Sequence, residues 1–235
     1  MLFAVFDVSA DLAQFKKPFT TMSPQTFSIP TGTACIGMIS AIIGLDKNEY
    51  WKYFPEGSYQ LAIGVRTPVK KTVIPINLLK TTSPKHFARF ESRKPSNVEF
   101  IKNPAYRLYF SWENFEKFNL LSTMLEKHLS HYSLSLGQAG NLANFSFVGL
   151  FDGKFKTDPE WRGYSSILRQ DKVLKIGFGD NRIFSNRIPV SMRADALSRE
   201  VTHYNEYLFD GDGKEIVARM SEYIHLGNGE NIVPI

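Results

Sequence analysis

The order in which strand-like and helix-like patterns follow one another constrains the fold of this 235-residue chain most strongly. The apolar run "LFAVFDV" (2–8) predicts a buried central strand, because a strand covered on both faces is apolar along its length. After a connector (residues 15–30), the segment "TGTACIGMISAIIGL" predicts a helix. Thr31 or Thr33 is its expected N-cap, and Gly44 lies near its expected C-cap.

Two more strand-like segments and a second helix follow. The segment "YQLAIGVRTPVKKTVIPINLL" (59–79) is interrupted by Pro68 and Pro75, which favours an edge strand or a bent strand. The run "YRLYFSW" (106–112) predicts another strand. Residues 113–129 predict an amphipathic helix, because apolar side chains recur there at helical spacing. These side chains are Phe115, Phe118, Leu121, Leu125 and Leu129.

The resulting order β-α-β-β-α, with "YSLSLG" (132–137) as a possible fourth strand, predicts an α+β fold of the RRM-like or ferredoxin-like kind. Two helices then cover one face of an antiparallel sheet and leave the other face open, where many such folds bind RNA. We predict that residues 1–136 form this domain. Residues 137–235 are expected to form a smaller, β-rich C-terminal subdomain, with a hairpin turn at residues 210–213.

Positive charge is concentrated in one stretch of a chain whose formal net charge is +5. Within residues 66–107 the only acids are Glu91 and Glu99. This surplus of cations predicts a polyanionic partner, with nucleic acid the first candidate; the simpler alternative is a solvated basic face. The cations are Arg66, Lys70, Lys71, Lys80, Lys85, Arg89, Arg93, Lys94, Lys102 and Arg107.

A β-hairpin is predicted to project from the sheet at about residues 80–104. Its strands are two β-prone runs, 86–90 and 97–101, on either side of the charged turn "ESRKPS" (91–96). Cations there suit phosphates and an aromatic ring could stack on a base, although both rings could instead pack on the domain. The candidate RNA contacts are Lys85, Phe87, Arg89, Phe90, Arg93 and Lys94.

The sequence contains little that indicates metal, cofactor or membrane chemistry. It has no phosphate-binding glycine loop, and its five histidines show no metal-ligand spacing. We therefore predict no cofactor and no metal. The single cysteine, Cys35, is expected to pack in the core. The lack of a basic leader and of an apolar stretch long enough to span a bilayer predicts a cytoplasmic protein with no membrane partner.

A metal-free ribonuclease is the catalytic alternative. Such an enzyme needs only a base near a ribose 2′-hydroxyl and a cation on the developing charge. Two sets could supply these groups: Lys127 and His128 with Tyr50 or Tyr53, or Lys85 with His86.

Several segments resemble one protein family, and they occur in the same order along nearly the whole chain. They are residues 6–45, "EYWKYF" (49–54), "IKNPAYRLYF" (101–110), "SLSLG" (133–137) and the late "IPVSM…REVTHYNEYLF". On these segments the chain resembles the RAMP-superfamily subunit that caps the 5′ handle of the CRISPR RNA (crRNA) in type I CRISPR Cascade complexes. It is most similar to the type I-B form.

The resemblance implies an RRM-like N-terminal domain, a protruding β-hairpin thumb and a smaller β-rich C-terminal part. It also implies that the protein grips the 5′ handle and contacts the backbone subunit and the large subunit of the complex. Target DNA would be met only through that complex. By position, the thumb is the hairpin predicted above. The handle contacts implied in the connector are Lys16, Lys17, Thr20, Thr21, Ser23 and Gln25.

Two positions depart from the family's pattern. Gln14 stands where family members often have histidine, and no arginine follows Pro30. We therefore expect the connector to rely more on hydroxyls and on backbone N–H groups at the start of the helix, where Thr31 and Thr33 lie. A helix N-terminus attracts phosphate through these N–H groups.

The leading prediction is a non-catalytic subunit that binds crRNA, with cations on phosphates and with base edges and stacking read in the unpaired handle. The catalytic alternative predicts metal-free cleavage of precursor crRNA that depends on His128. A third possibility is a protein-only scaffold that uses its basic face against acidic partners, and it predicts no RNA retention at moderate salt.

Overall fold

The computed structural model describes residues 1–20, 22–79, 83, 88, 93–194 and 199–235, and its side-chain description omits residues 191–194, 199, 200 and 202. Two α-helices lie in these residues, α1 (Gly32–Ile43) and α2 (Phe115–Glu126). The strands are β1 (Leu2–Ala10), β2 (Leu12–Ala13), β3 (Tyr59–Val65), β4 (Lys70–Leu79), β5 (Arg93–Lys102), β6 (Ala105–Trp112), β7 (Ala143–Lys156), β8 (Arg162–Tyr164), β9 (Leu168–Arg169), β10 (Val173–Gly177), β11 (Ile183–Ala194), β12 (Arg199–Asp210), β13 (Ile216–Met220), β14 (Tyr223–Leu226) and β15 (Asn231–Ile232).

A six-stranded sheet forms the centre, in the order β15-β14-β7-β1-β6-β3. β1 lies between β6 and β7, with Phe6 opposite Leu108 on one side and Phe147 on the other. Its apolar sequence predicted this central, buried position correctly. Both helices pack their apolar side chains with those of the sheet in the main core. The described chain is thus mostly β-sheet with two helices, consistent with the α+β class.

The helix predictions are confirmed by their caps and buried faces. The Thr31 hydroxyl accepts the Ala34 N–H at 3.2 Å at the start of α1, and Gly44 ends the helix in the left-handed region with φ of 78°. Cys35 is buried, and burial raises the pKa of its thiol. In α2 the central apolar residues are buried, whereas Phe115 is 76% exposed, so the predicted apolar face is shorter than its sequence pattern.

The strand that follows α2 is β7. The sequence predicted this fourth strand at residues 132–137, so its predicted position is wrong. Those residues form turns with isolated bridges between Ser135 and Leu142 and between Gln14 and Gly137. Gly137 has φ of 88°, and a Cβ there would lie only 1.9 Å from the Gln14 carbonyl oxygen. This close crossing of two backbone segments interrupts the strand, so pairing with β1 begins only at Ala143.

The sheet face opposite the helices is covered, which corrects the prediction that it is open. Phe3, Val5 and Tyr109 on this face are fully buried. They pack with Ile224 and Ile232 of β14 and β15, so the sheet curves back over itself. Side chains from the end of the chain therefore occupy the surface on which RNA was expected to bind.

Two further three-stranded sheets come from the second half, β10-β13-β8 and β11-β12-β9. The turn at residues 210–213 joins β12 to β13, but these strands lie in different sheets, so the predicted hairpin is wrong. Asp210 fixes the turn by accepting the backbone N–H groups of Arg182, Asp212 and Lys214. Burial by itself would raise the pKa of Asp210, but these hydrogen bonds and one from Asn181 hold the pKa below its usual value.

β4 and β5 pair with each other from Lys70 opposite Lys102 to Leu79 opposite Arg93, and we call this strand pair the ribbon. The ribbon corrects the pairing predicted for the projecting hairpin. Residues 97–101 pair with residues 71–75, and the supposed turn residues 93–96 belong to β5. β5 pairs with β4 because β4 is ten residues long and can form more backbone hydrogen bonds than the five-residue run 86–90.

β4 lies at the edge of a sheet in the order β2-β5-β4, as its proline at position 75 predicted. Strands β7, β14 and β15, which follow residue 137, pair in the same sheet as β1, β3 and β6. The division into residues 1–136 and 137–235 stays a prediction. Among the described residues, no helix is long and apolar enough to cross a membrane.

Candidate nucleic-acid interface

The connector is folded against itself as a narrow loop. Lys16 forms an antiparallel bridge with Thr26, and the Lys17 N–H donates to the Gln25 carbonyl at 2.9 Å. One step further in, the Phe15 N–H donates to the Thr26 hydroxyl at 2.9 Å. Phe15 and Thr26 are buried, so the base of the loop is anchored in the protein while the residues between them reach the surface.

Glu99 of β5 fastens the connector to the ribbon. Its carboxylate accepts the Thr26 N–H at 3.1 Å and the Lys71 ammonium at 3.0 Å. Its backbone N–H donates to the Pro24 carbonyl at 2.9 Å, and its carbonyl accepts the Gln14 side-chain amide at 3.2 Å. Because these bonds converge on one residue, connector and ribbon form one continuous surface, which we call the connector–ribbon surface.

Thr20 braces the outer part of the connector. Its hydroxyl donates to the Lys17 carbonyl at 2.9 Å and accepts the Gln25 N–H at 3.0 Å. Inside this closed loop, Phe19 and Met22 are 74% and 68% exposed. The loop therefore presents two large apolar side chains to solvent.

The connector–ribbon surface carries several exposed cations, of which Lys94 contacts Met22. Lys94 comes from the far end of the ribbon, and its Nζ lies 3.2 Å from the Met22 Sδ. None of the exposed cations forms an ion pair with any residue that the structure describes. They are Lys16, Arg66, Lys70, Arg93, Lys94 and Lys102.

Lys70 and Lys102 face each other at the base of the ribbon. They are direct cross-strand partners and both are exposed, so their ammonium groups project on the same side. Like charges directly opposite each other destabilise a strand pair. An anion bound between them would remove this repulsion, which makes the pair a favourable place for a phosphate.

Two predicted contacts are already engaged within the protein. Arg107 donates to both carboxylate oxygens of Asp7 at 2.8 and 3.0 Å and to Glu230 at 3.0 Å. These partners raise the pKa of Arg107, with the hydrogen bonds to Asp7 the largest cause. Lys71 is bound by Glu99. The geometry therefore favours the six exposed cations over Arg107 and Lys71 as contacts for RNA.

The start of α1 is packed against the second half of the chain. Thr31 is buried, and its hydroxyl lies 3.0 Å from that of Thr33. A Cβ on Gly32 would lie 2.9 Å from the Val190 carbonyl oxygen of β11. The start of α1 therefore lies against β11, and the RNA contacts predicted at Thr31 and Thr33 stay predictions.

The other predicted contacts divide into two groups. Ser23 and Gln25 are exposed on the connector, whereas the Thr20 hydroxyl is committed to the brace. The second group lies outside the described residues, as do two residues from other predictions, Lys80 and His86. It comprises Thr21, Lys85, Phe87, Arg89 and Phe90.

The structure does not bring Tyr53 together with Lys127 and His128. The Lys117 ammonium lies 4.6 Å from the centre of the Tyr53 ring at the start of α2, whereas Lys127 and His128 follow its end. At 1.5 Å per residue the 12 residues of α2 span about 18 Å. Tyr50 is buried. Within the described ranges, no group of three or more His, Cys, Asp or Glu side chains could hold a metal ion.

Two adjoining grooves lie where β1 ends and β7 begins. The larger, of about 580 Å³, includes Thr67 and Asn103, and the smaller, of about 250 Å³, includes His128. The two grooves share Leu142 and Asn144. Asn103 and His128 are the non-glycine residues with a left-handed backbone in the described chain, and such strain is common at ligand sites.

Sequence reasoning missed Phe19 and Met22 as surface residues of the connector. It placed the candidate stacking rings in the hairpin, where aromatic and basic residues alternate. The pattern that could have indicated their exposure is local. In "KKPFTTM" (16–22) two lysines precede a proline and an aromatic residue, and the segment lies outside the predicted strands and helices.

Comparisons with known proteins come from sequence and from structure. The sequence profile of the family described as "CRISPR-associated protein (Cas_Cas5)" matches residues 3–137, more than half of the chain. A search of curated proteins gave no match. Among solved structures, "Crystal structure of a CRISPR protein from Archaeoglobus fulgidus" shares 14% identity, with 100% of this chain and 99% of that chain covered and a TM-score of 0.55.

A second solved structure, "CRISPR RNA-guided surveillance complex", shares 10% identity, with 92% of this chain and 91% of that chain covered and a TM-score of 0.57. A third, "Crystal Structure of CRISPR-associated Protein", shares 14% identity and has a TM-score of 0.38; this chain spans 66% of its length. At these identities the first two similarities concern the fold alone, and the third is too weak to support an argument.

Proposed function

Because the chain belongs to the CRISPR-associated Cas5 family, we propose that it is a non-catalytic, crRNA-binding subunit of a type I CRISPR interference (Cascade) complex. It grips the 5′ handle of the guide RNA on the connector–ribbon surface. It joins the backbone subunit and the large subunit in antiviral defence, works in the cytoplasm and meets target DNA only through the assembled complex.

The connector–ribbon surface is the observation that carries the proposal. It presents exposed cations from two segments that are far apart in sequence, and Glu99 is the single acid in the described part of those segments. Glu99 is neutralised by Lys71 at 3.0 Å. A surface with this charge imbalance attracts polyanions, and a phosphate backbone supplies one negative charge per nucleotide.

The strand order supports an RRM-like unit. β1, α1, β3, β6, α2 and β7 follow one another along the chain, and the strands lie side by side as β7-β1-β6-β3. Because β14 and β15 cover the helix-free face, RNA would bind at the side of this unit rather than across the sheet. In this proposal the ribbon is the thumb.

Phosphate contacts would provide most of the affinity. Each lysine or arginine that neutralises a phosphate of single-stranded RNA releases counterions and steepens the salt dependence of log K by about 0.7. Six exposed cations therefore predict an affinity that falls steeply between low and moderate salt. Discrimination of the handle would come from contacts to its unpaired bases.

The double variant Lys16→Ala/Lys17→Ala tests this proposal. The wild-type chain should bind single-stranded repeat-derived RNA in a salt-dependent way. The double variant should bind several-fold more weakly, with a salt slope shallower by about 0.7 for each phosphate contact that is lost. Fluorescence anisotropy across a series of salt concentrations measures both quantities.

A matched control is Lys154→Ala/Lys156→Ala, which removes two exposed lysines from the far end of β7. This control should leave affinity and slope close to the wild-type values. Equal binding by the connector variant and the wild type would rule out the connector as an RNA contact. Absence of RNA binding by the wild type at moderate salt would instead favour the protein-only scaffold.

Metal-free cleavage of precursor crRNA is the second candidate function. The observation in its favour is His128, whose ring stacks on Phe145 at 4.7 Å and lines the smaller groove in a strained backbone conformation. Lys127 precedes it and could stabilise developing negative charge. In this case the purified chain should cut a repeat-hairpin RNA in the presence of a chelator, and His128→Ala should abolish the cut.

A further inference from the structure

We propose that Phe19 is a stacking platform for an unpaired base of the bound RNA, an inference that rests on the proposed RNA-binding function and assigns a specific role to the tip of the connector. Met22 extends the apolar contact beside it. The occupant of this small apolar patch is thus a nucleobase rather than an apolar protein segment.

Phe19 is exposed on a loop that hydrogen bonds hold closed. A phenylalanine with 74% of its surface in solvent gains little from the folded state. The loop around it is nevertheless closed by the Lys17 N–H to the Gln25 carbonyl and by the Thr20 hydroxyl, which bonds on both sides. The protein therefore fixes this ring outward, which lowers the ordering cost of binding something on it.

The charges near Phe19 also favour a nucleotide. Lys16 and Lys17 precede Phe19 in the chain, and Lys94 reaches the same tip from the ribbon through Met22 at 3.2 Å. The connector contains no acidic residue. An apolar protein segment docking here would have to bury these ammonium groups or leave them unpaired, whereas a nucleotide offers them a phosphate while its base covers the ring.

The connector and the ribbon together offer the two kinds of contact that a nucleotide uses. Sequence-tolerant binding of single strands combines cations on the backbone with aromatic rings on the bases. Lys16 and Lys94 would each hold a phosphate near the base that covers Phe19, whereas the Lys17 ammonium lies 5.9 Å from the centre of the Phe27 ring. The hairpin aromatics predicted from the sequence are not required for this arrangement.

The experiment uses the full chain and the same single-stranded repeat-derived RNA, in which 2-aminopurine replaces one base at successive positions. Stacking quenches 2-aminopurine fluorescence, so the wild type should quench one position most strongly. Phe19→Ala should remove that quenching and weaken binding by roughly 5- to 100-fold. Its salt slope should stay unchanged, because no cation is lost.

Two further variants separate stacking from a folding defect. Phe19→Trp should retain the quenching and the affinity, since indole also stacks. Phe115→Ala removes a phenylalanine of equal exposure, 76%, at the start of α2, and it should bind like the wild type. Lys16→Ala/Lys17→Ala should lower the salt slope but keep the position-specific quenching at saturating protein.

The outcomes distinguish this inference from the function on which it rests. If the wild type binds the oligonucleotide but Phe19→Ala keeps its quenching and affinity, the stacking role is wrong and the RNA-binding function stands. If Phe19→Ala binds RNA normally but no longer co-purifies with neighbouring operon products, the ring contacts protein and the inference is overturned. If the wild type binds no RNA, the proposed function fails and the stacking role fails with it.

Discussion

Two regions of this molecule use arginine and lysine in opposite ways. On the covered face of the central sheet, Arg107 is 13% exposed and donates all its bonds to Asp7 and Glu230. On the connector–ribbon surface, Lys70 and Lys102 stand opposite each other, with no described acid to neutralise them. In the first region the charge holds strands together, and in the second it is available to a partner.

This contrast shows that the number of cations along a sequence does not measure the charge available for binding. Arg107 and Lys102 lie close together in the basic stretch, yet they belong to the two different regions. Burial decides between them, because an arginine held in a water-poor setting needs protein carboxylates to be stable there. A polyanion can compete only for the cations that water already surrounds.

The largest expected effect is on folding, at Arg107. Arg107→Ala leaves the carboxylates of Asp7 and Glu230 without their cation, and Glu230 is only 17% exposed. We expect the free energy of unfolding to fall by about 3 kcal/mol, as for other broken ion pairs with little solvent access. Urea denaturation followed by tryptophan fluorescence measures this change.

Arg66→Ala is the matched control, because Arg66 is exposed and lies beside the same sheet. Its free energy of unfolding should stay within about 0.5 kcal/mol of the wild type. If Arg107→Ala is as stable as the wild type but binds RNA poorly, Arg107 is a contact for RNA. The assignment of Arg107 to a purely structural role would then be wrong.

The neighbours Lys70 and Lys71 give a medium effect and a sharper contrast. Lys71→Ala loses bonds to Glu99 and to the Thr26 carbonyl, both at 3.0 Å, and should lower the free energy of unfolding by about 1 kcal/mol. Lys70→Ala relieves the repulsion from Lys102, so its stability should be equal to or slightly above that of the wild type. Thermal denaturation with and without RNA measures both variants.

For RNA binding we expect the larger effect from Lys70→Ala, the variant with the smaller effect on stability. Lys70→Ala should reduce affinity and the salt slope, whereas Lys71→Ala should affect them less. If both lysines contribute equally to stability and equally to RNA binding, the division into structural and available cations is wrong for the ribbon.

The smallest expected effect concerns Glu99. Glu99→Gln keeps an oxygen that can accept the Thr26 N–H but removes the charge that holds Lys71. We expect a loss of about 0.5 kcal/mol in stability, together with a salt slope for RNA binding that is steeper by up to about 0.7 as Lys71 becomes available. Glu49→Gln, which breaks the exposed pair with Lys52, should leave RNA binding unchanged.

The sequence predicted the features of the fold that depend on neighbouring residues. The N-cap Thr31, the C-cap Gly44 and the buried strand β1 all follow from side chains within a few positions of each other. The ribbon was assigned the wrong partner strand because register is decided by pairing over more than twenty residues, and both candidate runs have suitable β-propensity.

In the candidate site, too, local features could be predicted from the sequence and long-range contacts could not. Exposed Lys16, Lys70 and Lys94 could be predicted from charge alone. The engagement of Arg107 could not, because Asp7 and Glu230 are 100 and 123 residues away from it in sequence. The exposure of Phe19 also escaped prediction, since the Thr20 brace that holds the loop open to solvent is a product of the folded backbone.

The position of β1 has a consequence for the timing of folding. Asp7 on β1 meets its partner on β6 after 100 residues, and the ammonium of Met1 meets Gly153 on β7 after 152 residues. A ribosome that adds about 5–20 residues per second needs on the order of ten seconds to make those partners. For that time residues 3–6 of β1, which are fully buried in the fold, lack neighbouring strands, so we expect the newly made chain to be prone to aggregation until β6 is made.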